Sequence, residues 1–234
     1  PRAPARCSRN CEARDVTALA GLGVLVTRPE PQAAPLSRLL EDAGARVFRL
    51  PAIDIVASAD RPSLRAALGP MDRFHWVLFV SANAVKHGAF LLDGSRQPPL
   101  AAVGPATAAA LEHAGFRVAL VPPGGFDSES LLATPELTDV ARARVLIVRG
   151  DGGRELLGDE LRRRGADVQY AEVYARRCAQ PIPGAVRAVE AAWMAGGIDV
   201  VTATSAELLR CLVEILTPAG RALLRGSVLL AGGS

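Results

Sequence analysis

"RVLIVRGDGGRELLGDELRRRGADVQYAEVY", residues 144–174, decides the fold. A short Val/Leu/Ile run ends at Arg149 and Gly150, a glycine-rich turn follows, a helix pattern stops at Gly165, and an alternating strand pattern closes the stretch. This is a β-α-β unit. "GVLVTRPEPQAAPLSRLLEDAGARVFRLP", residues 23–51, spells the same unit: Arg28 ends the first strand, Leu36, Leu39 and Leu40 share one helix face, and Gly44 stops the helix. Arg149 and Gly165 each lie 121 residues after Arg28 and Gly44, with no gap between them, so the chain carries an internal repeat.

A second pair extends the repeat. "WVLFVSANAV" (76–85) and "VVTATSAELL" (200–209) each end a strand pattern and open a helix, with Ser81 and Ser205 separated by 124 residues. After the first copy comes "LAAVGPATAAALEHAGFRVALVPP" (100–123), a strand, a Gly-Pro-Ala-Thr turn and a helix; after the second comes only "SVLLAGGS" (227–234). If Gly232 answers Gly104, the counterpart of Thr107 would fall just after Ser234, and one lobe is expected to be cut in mid-turn.

Short Val/Leu-rich strands alternating with helices imply parallel sheets covered by helices, and the pairing implies two similar α/β lobes. Ligands of such sheets bind beyond the carboxyl ends of the strands, where Thr27, Arg28, Ser81, Thr107, Arg149 and Ser205 are expected.

Half of the 234 residues are hydrophobic and 22% are charged, ordinary proportions for a globular protein, and no apolar run reaches the ~18 residues a membrane helix needs. Aromatics make up only 4%, and 27 Lys+Arg against 24 Asp+Glu leave a mild positive excess, which speaks against nucleic acid and suits a small polyanion. Cys7, Cys11, Cys178 and Cys211 lack metal-ligand spacing, so neither a metal site nor a disulfide framework is expected. Residues 1–20, arginine-rich and without a secretory core, are expected to be a disordered leader, and the protein to be cytoplasmic.

A Ser or Thr between a strand and a helix is first a helix cap, and that reading covers Ser81, Thr107 and Ser205. The functional reading adds that such termini attract anions. "PPGGFDSESLL" (122–132) contains Ser128 at a helix start, or a mobile loop beside the site. The glycines of "RGDGGRELL" fit neither a dinucleotide fingerprint nor a phosphate loop, which argues against nucleotide binding. His75, His87 and His113 have neither triad order nor metal spacing and are expected at the surface. Tyr174, ending a strand beside arginines, is either an edge aromatic or a phenolic donor.

"VLVTRP", "FVSANAV", "AVGPATAAAL", "FDSESLL", "VLIVRG", "VYARR" and "IDVVTATSAELL", in that order, resemble the uroporphyrinogen-III synthase family, from Val24 to the last residue. The resemblance implies two α/β lobes joined by a two-stranded linker with interleaved connectivity. Residues 21–52 and 176–234 would form the first lobe, incomplete at its end, and 53–175 the second. Ser81, Thr107 and Arg149 would then belong to one lobe, Arg28 and Ser205 to the other, with Tyr174 near the hinge and Ser81 facing Ser205 across a cleft.

The substrate it implies is hydroxymethylbilane, a linear tetrapyrrole polycarboxylate, cyclised by a monomer with loss of water and inversion of the last ring, without cofactor or metal. Tyr174 would be the proton donor. Thr27, Arg28, Ser81, Ala82, Thr107, Ser128, Arg149, Gly150 and Ser205 would contact substrate, with activity weakened by the short end. The competing reading is a two-lobe protein that binds or senses a small polyanion without turning it over.

Overall fold

The computed structural model describes residues 18–58, 60–92 and 97–231. The first repeat copy forms β1 (Gly23–Val26), α1 (Glu30–Asp42) and β2 (Arg46–Arg49). The chain continues through β3 (Ile53–Ala57), α2 (Arg61–Leu68), β4 (Trp76–Phe79), α3 (Ala82–Gly88), β5 (Leu100–Ala102), α4 (Pro105–His113) and α5 (Ser128–Leu132). The second copy is β6 (Arg144–Gly150), α6 (Leu156–Arg163) and β7 (Asp167–Cys178), followed by α7 (Pro183–Met194), β8 (Val200–Ala203), α8 (Ala206–Ile215), α9 (Pro218–Arg225) and β9 (Val228–Ala231).

These elements make two compact units. One takes the described residues through Asp54 together with those from Cys178 onward, and the other runs from Ile55 to Arg177. The first holds a parallel sheet in the order β2-β1-β8-β9; the second sheet runs β3-β7-β6-β4-β5, with β7, β6, β4 and β5 parallel.

The repeat is visible in the register. Val24 faces Val47 and Val200; Val145, 121 residues after Val24, faces Val168, 121 after Val47, and Trp76, 124 before Val200. Equal offsets on both sides of the central strand mean that β1 and β6 occupy the same place in two sheets of one plan.

β1 is buried along its whole length and β6 from Val145 on, which explains why neither strand alternates in sequence. In the Ile55–Arg177 unit Val77, Phe79, Leu146 and Val148 pack on one face with Val85 of α3 and Leu111 of α4. Leu78, Val145 and Ile147 pack on the other with Leu131 of α5 and Leu157 and Leu161 of α6. Truncating a fully buried leucine such as Leu78 to alanine would cost about 2–5 kcal/mol. In the other unit Val24 and Val26 pack with Ala33 and Ala45, backed by Leu36 and Leu40 of α1, while the sequence-predicted third leucine of that face, Leu39, points to solvent.

Two expectations need correction. Cys178 and Cys211 form a disulfide: the end of β7 and the buried face of α8 bring Cα atoms 33 residues apart in sequence to 5.0 Å, a meeting that spacing along the chain does not reveal. Leu19, inside the stretch 1–20 expected to be disordered, is tied into the fold: its N–H bonds the Ala43 carbonyl at 2.9 Å and its side chain packs against the β1–α1 core. Residues 1–17, with Cys7 and Cys11, and residues 232–234, with the proposed counterpart of Gly104, lie outside the described residues.

Candidate functional site

The Ile55–Arg177 unit contains a cavity of about 320 Å³ at the carboxyl ends of β4, β6 and β7. Four residues singled out in the sequence line it: Ser128, Arg149, Gly150 and Tyr174. Tyr170, Arg154 and Arg176 line it as well and were not anticipated.

Tyr174 reaches the cavity through a break in its strand. Arg149 is paired with Glu172 but the next residue, Gly150, with Tyr174, so β7 carries an extra residue at this point. Up to the break β7 alternates: Val168 and Tyr170 pack on the α5–α6 face, Ala171 and Val173 on the α3–α4 face. The bulge puts Tyr174 in the same cluster as Val173, where strict alternation would have placed it opposite. Gly150 makes the room: a Cβ there would lie 2.5 Å from Cε2 of the Tyr174 ring.

The Tyr174 side chain is 1% exposed, and its hydroxyl lies 3.2 Å from Ser81 Oγ. Ser81 is the α3 N-cap, accepting the Ala84 N–H at 3.0 Å. The cap reading of Ser81 therefore holds, and its hydroxyl has a second neighbour, the Tyr174 phenol, that the sequence did not point to.

His87 is not the surface residue expected. It lies partly buried with its ring 5.8 Å from that of Tyr174, and Nε2 is buried without a hydrogen-bond partner. Burial, reinforced by the charges of Lys86 and Arg61, lowers its pKa, so the ring stays neutral near pH 7.

Both terminal guanidinium nitrogens of Arg149 are engaged within the protein, while its Nε is buried without a partner. One guanidinium nitrogen donates to Glu155 at 2.8 Å and Glu172 at 3.0 Å, the other to the carbonyls of Gly153 at 3.3 Å and Arg154 at 3.4 Å. The guanidinium also stacks 3.8 Å from the centre of the Tyr170 ring. Burial opposes the charge, but the bonds from Glu155 and Glu172 outweigh it and raise the pKa. Tyr170 donates to Glu155 at 2.7 Å, which with burial raises the phenol pKa, while that bond and Arg149 lower that of Glu155. Arg149 is thus a staple for the 150–155 turn. The sequence reading of it as a substrate contact took no account of these acids, Glu155 six residues on and Glu172 twenty-three residues on.

Thr107 and Ala82 are not in this lining, and two expected helix caps are displaced. Thr107 is the third residue of α4, and its side chain is nearly buried; Gly104 takes the cap position assigned to it. Ser128 likewise opens α5 one residue after the true cap, Asp127, whose carboxylate accepts the Ser130 N–H at 2.8 Å. Ala82 lines a separate apolar groove between α3 and α4.

In the other unit Ser205 caps α8, accepting the Leu208 N–H at 3.1 Å. The Thr27 side chain is fully buried and its hydroxyl donates to the Thr202 carbonyl, which makes it a link between β1 and β8. Arg28 keeps its Nε buried and without a partner. Among the described residues no cluster of His, Cys, Asp and Glu could hold a metal.

A family model described as "Uroporphyrinogen-III synthase HemD" matches residues 34–234. The chain is 37% identical over 203 residues to the uroporphyrinogen-III synthase of Salmonella typhimurium, covering 84% of this chain and 80% of that protein. Against the Escherichia coli uroporphyrinogen-III synthase it is 34% identical over 200 residues, covering 83% and 80%. A crystal structure of a mutant uroporphyrinogen III synthase from Thermus thermophilus superposes with a TM-score of 0.58 at 22% identity, over 91% of this chain and 85% of that one, and shares the fold. With the repeat, the sheet orders and these similarities in agreement, the chain belongs to the uroporphyrinogen-III synthase family.

Proposed function

We infer that the chain carries out the uroporphyrinogen-III synthase reaction of tetrapyrrole and heme biosynthesis, a lyase step that closes hydroxymethylbilane into uroporphyrinogen III with loss of water and inversion of the last pyrrole ring. The observation that supports it most directly is the Ser81–Tyr174 hydroxyl pair beside a cavity that also holds arginines.

The chemistry begins when a pyrrole nitrogen lone pair expels the terminal hydroxyl and leaves an azafulvene cation. A proton delivered to the departing oxygen lowers that barrier. Ser81 Oγ already accepts from Ala84, so its own proton can turn to the Tyr174 oxygen and leave the phenolic proton for the substrate. Tyr174 is the donor in this reading, and Ser81 steadies the phenolate that follows.

The last ring then attacks the cation through its substituted carbon, and the spiro intermediate fragments and recloses with that ring inverted. These steps need correct placement more than strong acids or bases, so positioning and fixed dipoles carry most of the catalysis. A cavity of about 320 Å³, at the small end for ligand sites, suits one substituted pyrrole ring rather than a whole tetrapyrrole. Ser128 and the backbone around Gly150 are the polar contacts there; Arg28 and Ser205 are the candidates offered by the strand ends of the other unit.

The reading extends to a monomer working in the cytoplasm; among the described residues no helix is long and apolar enough to cross a membrane. Incubation with hydroxymethylbilane, followed by chromatographic separation of the isomers, tests the function. Type III product above the spontaneous type I background is expected. Type I alone, at the uncatalysed rate, would overturn the reading.

A further inference from the structure

Arginines at the cavity of the Ile55–Arg177 unit differ in how much of their charge is already answered. Arg149 is held by two carboxylates, so its charge is already answered within the protein. Arg154 lies 3.5 Å from Glu129. Arg176 is exposed, lines the cavity, and its guanidinium makes no hydrogen bond or ion pair among the described residues.

Its position is nevertheless fixed. The Arg176 N–H donates to the Asp151 carboxylate at 3.2 Å, and the Asp151 N–H to the Tyr174 carbonyl at 2.9 Å, so the turn after β6 grips β7 on both sides of Ala175. The guanidinium carbon sits 5.8 Å from the centre of the Tyr174 ring, within reach of a cation–π contact. A planar, permanently charged fork thus extends from an anchored main chain to a place beside the phenol, with its donors unspent.

We propose that Arg176 binds a carboxylate arm of the substrate's reacting pyrrole and so holds that ring against Tyr174. The proposal rests on the synthase reading and assigns the anchoring role to Arg176 in place of Arg149. Neighbouring Arg177, also exposed, is not among the residues lining the cavity and supplies the control for net charge.

The test is steady-state kinetics with hydroxymethylbilane for the full chain and for R176Q, R176K and R177Q, with thermal unfolding of each. Loss of one charge-assisted pair should raise KM about tenfold in R176Q and change kcat less than about threefold. R176K should recover part of the KM, R177Q should match the parent, and all should keep its Tm. The parent KM should also rise with salt more steeply than that of R176Q.

An unchanged KM in R176Q, or an equal rise in R177Q, would overturn the proposal while leaving the synthase reading intact. Absence of type III product from the unsubstituted chain would overturn both.

Discussion

Arg28 and Arg149 stand at the same point of two copies of one strand-turn-helix unit, yet their surroundings have little in common. Around Arg149 are Glu155, Glu172 and Tyr170, whereas the residues 121 positions earlier are Ala34, Pro51 and Arg49; what the two arginines share is an Nε buried without a partner. Tyr174 and Gly150 likewise correspond to Ile53 and Pro29. Ser81 and Ser205 cap their helices alike, but only Ser81 meets a phenol. Backbone plan and capping chemistry survive in both copies because the fold needs them twice, whereas the chemistry of the strand end is built once.

Tyr174 is where the two copies differ most in consequence. Y174F should keep the fold and lower kcat by about a hundredfold or more, the scale of a lost general acid, as measured by initial rates of type III formation. A Y174F enzyme as fast as the parent would remove the distinction between the halves.

The disulfide belongs to the other unit, and no counterpart appears among the described residues of the Ile55–Arg177 unit. Reduction of Cys178–Cys211 should destabilise its own unit by about 2–4 kcal/mol, seen as a lower Tm that C211A reproduces and that reductant cannot lower further.

Paired substitutions of the arginines come next. R149M strips two glutamates and two turn carbonyls of their partner and should cost about 2 kcal/mol in denaturant unfolding. R28M, which breaks no bond in its own unit, should stay within about 0.5 kcal/mol of the parent. Equal losses would mean that Arg28 is as much a staple as Arg149.

S81A and S205A each delete a cap and should each cost about 1 kcal/mol, but S81A alone should also slow turnover by weakening the support of Tyr174.

The smallest effect is a pH dependence that the first copy lacks. Arg163 and Arg164 hold the Glu160 carboxyl at about 2, and its counterpart 121 residues earlier is Leu39. A folded-state pKa below the unfolded value stabilises the protein above that unfolded value and loses its effect as pH falls through the folded one. Stability should therefore decline between pH ~4.5 and ~2, a little less in E160Q, and only slightly because the pairing lies at the surface, with Arg163 open to solvent.

Periodicity and spacing were enough to read the two sheets, the shared position of β1 and β6, and the caps at Ser81 and Ser205, because strands, turns and caps are local and a repeat prints them twice. The same locality explains the misplaced caps at Thr107 and Ser128: neighbouring Gly104 and Asp127 compete for each position, and only backbone geometry decides between them.

Charge and covalent pairing depend on distance in space. The sequence shows neither that the 150–155 turn folds Glu155 back onto Arg149 nor that Glu172, 23 residues away, joins it, and Arg176 went unnoticed because nothing in "VYARR" says which arginine lacks an acid nearby. Cys178 and Cys211 looked isolated for the same reason.

By itself, then, the sequence determined the repeated α/β plan, the family, and the strand ends at which Ser81 and Ser205 cap their helices. Tertiary structure alone decided which face Tyr174 joins, since one extra residue in β7 overrides the alternation that its sequence neighbours obey. It also decided which arginine is left with charge to offer, because a guanidinium is neutralised by whatever carboxylates the fold brings within about 3 Å, however far apart they are along the chain.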